Sequence, residues 1–158
     1  VIIATAGHVD HGKTSLIKSL SNQDTDRLPE EKKRKLTIDL GFAEMKLGEN
    51  QIGFIDVPGH QDFIKNMVSG FCAVDLILMV VSADDGWMPQ TEEHLQIISY
   101  LGIKKGIVVL TKTDLIEPLR SIITAISDEV ARIFPKNSGS IIGIEPKSQN
   151  VLALVFIC

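Results

Sequence analysis

The sequence predicts an α/β domain built on a mostly parallel, doubly wound sheet. Three observations carry that prediction. Short apolar runs alternate with helix-like segments along the chain. The runs Leu76-Ile77-Leu78-Met79-Val80-Val81 and Ile107-Val108-Val109-Leu110 are apolar throughout rather than alternating, which marks strands covered on both faces. The first apolar run leads directly into a glycine-containing loop that opens a helix-like segment.

Taken in order, strands are predicted over residues 1–6, 39–46, 51–56, 75–81 and 106–111, and helices over 13–20, 60–72, 90–101 and 117–134. The turn Gly48-Glu49-Asn50 separates two adjacent strands and reads as a hairpin, so one edge strand is expected to be antiparallel. Right-handed crossovers place helices on both faces of the remaining parallel strands. Ligands of such sheets sit at the carboxyl ends of the strands. Gly7, Asp56, Asp84 and Thr111 all follow strands, so their loops share one rim.

Size and charge narrow the classes. A chain of 158 residues supports one ordinary domain with a full core. The net charge of −4 gives no broad electrostatic footprint for nucleic acid, so any RNA contact is local or lies outside this chain. Cys72 and Cys158 carry no metal spacing and suggest no disulfide framework, which fits a reducing, cytoplasmic setting. The apolar runs are too short to cross a bilayer, which takes about 20 residues, so no membrane partner is expected. The chain starts with Val1 and shows no signal peptide. It is expected to be a monomer.

Gly7-His8-Val9-Asp10-His11-Gly12-Lys13-Thr14 fits G-x-x-x-x-G-K-[ST], a phosphate-binding loop between strand and helix. A backbone that wraps phosphate oxygens must turn its N–H groups inward, and Gly7 and Gly12 stand where side chains would obstruct that. The helix start adds unpaired N–H groups and partial positive charge. Lys13 reaches the β- and γ-phosphates, Thr14 offers its hydroxyl to Mg²⁺, and Ser15 is placed for the α-phosphate. These features make the P-loop NTPase form of the α/β fold the expectation.

Residues 21–35 are polar and highly charged, and most of those charges read as a solvated loop. Thr37 ends that loop just before a strand, where its hydroxyl can close over the γ-phosphate side and bind Mg²⁺. Asp56-Val57-Pro58-Gly59-His60 follows a strand: Asp56 can hold Mg²⁺ through water, and Gly59 leaves its N–H for a γ-phosphate. His60 would stand next to that phosphate and orient the attacking water, as glutamine does in other GTPases. Thr111-Lys112-Thr113-Asp114 follows another strand. A carboxylate at Asp114 accepts from guanine N1–H and the 2-amino group, donors that adenine lacks, and so selects GTP or GDP. Lys112 would lay its stem over the base.

These residues together resemble the translational GTPases, and within them the selenocysteine-specific elongation factors. The resemblance rests on 2–14, on Asp24-Thr25-Asp26-Arg27-Leu28-Pro29-Glu30-Glu31-Lys32-Lys33-Arg34, and on Thr37-Ile38-Asp39-Leu40-Gly41-Phe42-Ala43. It continues through 52–60, Ala83-Asp84-Asp85-Gly86 and Met88-Pro89-Gln90-Thr91, and Thr111 replaces the more usual asparagine as that family has it. The resemblance implies a GTPase that carries selenocysteinyl-tRNA to a ribosome paused at a recoded stop codon marked by an RNA hairpin. Hydrolysis releases the tRNA, and the RNA contacts belong mainly to domains absent from this chain. The ribosome would push His60 into place past an apolar gate to which Val9 and Leu36 correspond in the related elongation factor Tu.

Three departures stand out. Lys35 occupies a position where the family has glycine, and a left-handed lysine there costs roughly 1–2 kcal/mol. Asn22 also replaces a usual glycine, though asparagine tolerates such angles. After Phe134 the match is poor, so residues 1–134 read as the G domain and 135–158 as a tail. In that tail, 140–144 suits a strand, Ser148 is a weak stand-in for a base-contacting loop, and the all-apolar 151–158 makes a poor closing helix. Three alternatives stay open: an initiation-factor type of GTPase, a GTP-dependent switch without hydrolysis, and a fragment whose tail is read out of frame.

Overall fold

The computed structural model describes residues 1–34, 37–115, 120–133 and 152–157. Six strands form one sheet: β1 (Ile2–Ala6), β2 (Gly41–Leu47), β3 (Asn50–Asp56), β4 (Leu76–Ser82), β5 (Lys105–Thr111) and β6 (Leu152–Ile157). Their order is β2-β3-β1-β4-β5-β6. β3, β1, β4 and β5 run parallel, and β2 pairs antiparallel with β3. The doubly wound sheet with its antiparallel hairpin edge is therefore as expected. Leu47 pairs with Asn50, which leaves Gly48 and Glu49 as the turn, and Gly48 takes φ 62° there.

The far end of the chain differs from expectation. The apolar run read as a poor closing helix is β6, which pairs antiparallel with β5 and makes a second antiparallel edge. A run without a polar face suits a strand better than a surface helix, because β-branched and aromatic residues fit a pleated, half-buried surface. Residues 140–150, including Ser148, lie outside the described residues.

Helices α1 (Lys13–Ser21), α3 (Ile64–Gly70), α4 (Pro89–Tyr100) and α5 (Arg120–Ile133) fall on the predicted segments, while α2 (Pro29–Arg34) lies in the loop expected to be irregular. The helix predicted over 60–72 is broken into a 3₁₀ turn (Gln61–Phe63), α3 and a second 3₁₀ turn (Phe71–Ala73). Asn22 ends α1 in the left-handed region at φ 58°, ψ 24°, its N–H bonded to the Lys18 carbonyl, so it does the work of the glycine it replaces.

Alternate residues of β4 serve opposite faces. Ile77, Met79 and Val81 join Met67 and Phe71 around α3, Leu95 and Ile98 of α4, and Ile126 and Val130 of α5 in the larger core. Leu78 joins Ile17 of α1, Phe54 and Val109 on the other face. Burial on both sides is why β4 reads as an unbroken apolar run. α4 starts with Pro89 at its first position and buries Thr91, His94, Leu95 and Ile98, one helical stripe. That stripe brings His94 under the loop after β1. Among the described residues, no helix is long and apolar enough to cross a membrane.

Candidate functional site

Because β1, β3 and β5 are parallel, the loops after them lie on one rim. The loop after β1 is shaped by its backbone. Gly7 has φ 128°, and a Cβ there would stand 2.2 Å from the Val80 carbonyl oxygen. Gly12 caps α1 in the left-handed region at φ 87°, ψ 24°. Asp10 is exposed at φ 61°, a conformation that aspartate adopts more readily than most residues. Val9 is half-buried and its N–H donates to Gln90 Oε1 at 3.3 Å. Ser15 is exposed on the first turn of α1.

Lys13 is buried, and its Nζ donates to the carbonyls of Gly7 (3.0 Å) and His8 (2.6 Å). Burial pushes its ammonium down to about 8, against the pull of Asp56 and Asp10. Gly59 presses on the same place: a Cβ there would meet Lys13 Nζ at 2.5 Å and Val9 N at 2.8 Å. The loops after β1 and β3 thus touch where a γ-phosphate is expected.

Asp56 is fully buried at the end of β3 and accepts from Thr5 Oγ1 (2.9 Å) and Thr25 Oγ1 (2.8 Å). Thr14 Oγ1 and Thr37 Oγ1 lie 3.0 Å apart, and Thr37 also donates to Asp26 Oδ1 at 3.2 Å. Magnesium binds oxygens at about 2.1 Å in an octahedron, which sets neighbouring ligand oxygens about 3 Å apart. The two hydroxyls already have that spacing and Asp26 is bonded to one of them, so the residues present fit Mg²⁺.

Thr111 is buried, and its hydroxyl donates to the His11 carbonyl at 2.7 Å, tying the loop after β5 to the loop after β1. It positions that loop rather than reaching outward. Lys112, at φ 53°, is held by Asp84 (3.3 Å) and Asp85 (3.8 Å). Asp114 is exposed on the 3₁₀ turn Thr113–Leu115. His60 caps the 3₁₀ turn after β3, its Nδ1 accepting from the Asp62 N–H at 3.3 Å, with its side chain 37% exposed. Apart from Thr37, the sequence-predicted site residues lie on these three loops or on the ends of the strands and helix that flank them. Lys35 and Leu36 lie outside the described residues.

Several supporting residues escaped the sequence reading. Most charges of 21–35 read as solvated, yet Glu31 is buried and Asp26 half-buried, and Thr25 in the same loop is buried as well. Their neighbours are supplied from elsewhere in the chain. Gly41, for example, leaves the space Thr25 needs, since a Cβ there would meet Thr25 Cβ at 2.6 Å. A local signal did exist for α2: Pro29 suits a first helical position, and Glu31 at the third is half of a capping box.

His94 is the other unforeseen member. Its Nδ1 accepts the Gly7 N–H at 3.0 Å, which requires a neutral ring. Burial pushes its imidazole down to about 3, helped by repulsion from Lys13 and His8, and burial holds that of His11 at about 4. In the unfolded chain both take up protons near 6.5. Below that pH the unfolded state binds more protons than the folded one. The stability they contribute is therefore complete above pH 6.5 and is lost as pH falls toward the folded values. Each ring adds a slope of about 1.4 kcal/mol per pH unit within that window. The unfolding temperature is expected to fall steeply between pH 6.5 and 4.5, and less steeply in His94→Gln. A flat profile in calorimetry would contradict buried neutral rings.

A parallel sheet with a phosphate loop after β1, D-x-x-G after β3 and T-K-x-D after β5 defines a G domain of the P-loop NTPase class. The chain belongs to the elongation factor Tu GTP binding domain family, whose model matches residues 1–155. It is 60% identical over 118 residues to the selenocysteine-specific elongation factor of Desulfomicrobium baculatum, covering 74% of this chain and 19% of that protein. It is 51% identical over 121 residues to the Escherichia coli factor of the same name, covering 76% and 20%. The chain thus spans about a fifth of the length of the curated relatives it matches. The crystal structure of a bacterial selenocysteine-specific elongation factor superposes with TM-score 0.76 at 48% identity, over 86% of this chain and 23% of that one. Translation elongation factor SelB of Methanococcus maripaludis, solved with the GTP analogue GppNHp, gives 0.63 at 35% identity, over 85% and 25%.

Proposed function

We propose that this chain binds GTP with Mg²⁺ and hydrolyses it to GDP and phosphate, as the switch domain of a factor that carries selenocysteinyl-tRNA to the ribosome. One observation supports this most: the loops after β1 and β3 meet at buried Lys13, Thr111 ties the end of β5 to the loop after β1, and the Thr14 and Thr37 hydroxyls lie side by side. The G domain would span residues 1–134. The wider assignment to selenocysteine rests on relatives five times longer than the chain, so the tRNA, hairpin and ribosome contacts require parts of such a factor outside it.

Lys13 and the N–H groups from His8 to Ser15 would hold the phosphates. Thr14 and Thr37 would hold Mg²⁺ directly and Asp56 through water. The bound ion neutralises charge on the β- and γ-phosphate oxygens. Gly59 would offer its N–H to the γ-phosphate. Asp114 would accept from the guanine edge, with Lys112 over the base and Thr111 fixing their loop. His60 would orient the water that attacks the γ-phosphorus. The bond from that phosphorus to the β–γ bridging oxygen breaks, GDP leaves with the electron pair, and the water's proton is released with the phosphate. In the structure His60 Nδ1 is taken up by Asp62, and a turn of its side chain would free that nitrogen. Such a turn is what a ribosomal activator would supply.

His60→Ala is expected to bind GTP as the unchanged chain does and to lose ribosome-stimulated hydrolysis by roughly 10²–10⁴-fold. Single-turnover phosphate release, with and without ribosomes, measures this. An unchanged stimulated rate would remove His60 from the mechanism. Near-zero rates in the unsubstituted chain, equal with and without ribosomes, would identify a binding switch.

A further inference from the structure

We propose that Glu31 is a positioning residue, a clasp that closes the loop between α1 and β2 and so delivers Thr37 to Thr14. Glu31 is 3% exposed in the middle of α2, which is otherwise charged. One carboxylate oxygen, Oε2, accepts the N–H groups of Arg27 (3.0 Å) and Leu28 (2.8 Å), just before α2. The other, Oε1, accepts those of Ile38 (3.0 Å) and Asp39 (3.1 Å), just after Thr37. A carboxylate has about four acceptor positions, and here all four are filled by backbone donors. The bond from Leu28 is the back-reaching half of a capping box, and Arg27 is the residue before it. The second pair has no local origin, because it joins residues seven and eight positions away.

The consequence for Thr37 is geometric. Its neighbour Ile38 is fixed from both sides, its N–H by Glu31 and its carbonyl by Asn66 Nδ2 at 3.2 Å. Thr37 then points between Thr14 and Asp26. Glu31 itself touches neither hydroxyl, so it acts only through the backbone. Burial alone would raise its pKa, but the four N–H groups outweigh burial and hold the carboxyl below the usual range. The clasp therefore stays ionised, and each bond is charge-assisted. A glutamine keeps one acceptor oxygen and sets its own N–H₂ against the other donor pair. An aspartate keeps the charge but is one methylene too short to span both pairs.

The inference rests on the reading of Thr37 as a Mg²⁺ ligand. Limited digestion with trypsin, which cleaves after Arg27, Lys32, Lys33 and Arg34, tests it. With GppNHp and Mg²⁺, cleavage within 27–34 is expected to be about tenfold faster in Glu31→Gln than in the unsubstituted chain. The Mg²⁺ concentration that gives half-protection is expected to rise by a similar factor. Affinity for a fluorescent GDP stays the same and the unfolding temperature falls by only about 3–6 °C, which separates a clasp from a general stability role. If Glu31→Gln fails to fold, Glu31→Asp serves in its place, with the same comparison. The four bonds of the clasp run within the chain, so the faster cleavage is expected in nucleotide-free protein as well. Equal cleavage rates in nucleotide-free protein overturn the clasp. A chain that binds no guanine nucleotide while its Glu31→Gln loop is cut faster overturns the function reading and leaves the clasp standing.

Discussion

Lys13→Ala weakens binding of both GTP and GDP by roughly 10²–10⁴-fold in titration calorimetry. The size follows from burial. Lys13 is 6% exposed, so a phosphate beside it is shielded from water and its charge needs a partner. Removing one member of a buried ion pair costs about 3–5 kcal/mol, and each 1.4 kcal/mol is about a factor of ten. The same change frees the carbonyls of Gly7 and His8, to which Nζ donates, so the loop also loses its internal tie. Arginine does not restore binding, because a planar guanidinium does not fit where Nζ sits 2.5 Å from the place of a Gly59 Cβ. Undiminished affinity in Lys13→Ala would refute the phosphate-loop assignment.

Asp114→Asn is expected to lower preference for GTP and raise affinity for xanthosine triphosphate. The guanine edge presents two donors, N1–H and the 2-amino group, while xanthine has a carbonyl at position 2. An asparagine offers one acceptor and one donor group, which matches xanthine and mismatches guanine. A charge-assisted bond is worth about 1.5–3 kcal/mol and a neutral one about 0.5–1.5, so one lost to guanine and one gained to xanthine shift the GTP-to-XTP ratio by roughly 10–10³-fold. Asp114 is exposed at a loop tip, so the substitution leaves the fold unchanged and the effect is read cleanly. Competition binding with the two triphosphates measures it. Unchanged selectivity would mean that another residue reads the base.

Both predictions concern residues visible in the sequence, because each belongs to a motif whose members are close in the chain. The charged loop was not visible in that way. Glu31 stands in the run Glu30-Glu31-Lys32-Lys33-Arg34, where the ordinary expectation is solvent. It is buried only because the chain returns at Ile38 and Asp39 to present two N–H groups. Thr25 is buried only because Asp56 lies across from it, 31 residues later. His94 is buried only because α4 packs under the loop after β1, whose Gly7 N–H it accepts.

The sequence by itself determined the strand–loop–helix order, the sheet with both faces covered, and the residues proposed to hold phosphate, magnesium and guanine. Those features depend on periodicity and on motifs of adjacent residues, which local chemistry dictates. Only the tertiary structure decided that Glu31, Thr25, Asp26 and His94 support that site, that Thr111 serves as a tie to the phosphate loop, and that the apolar end pairs with β5. A polar group is buried only when distant backbone or side chains satisfy its hydrogen bonds, and those partners exist only once the chain has folded.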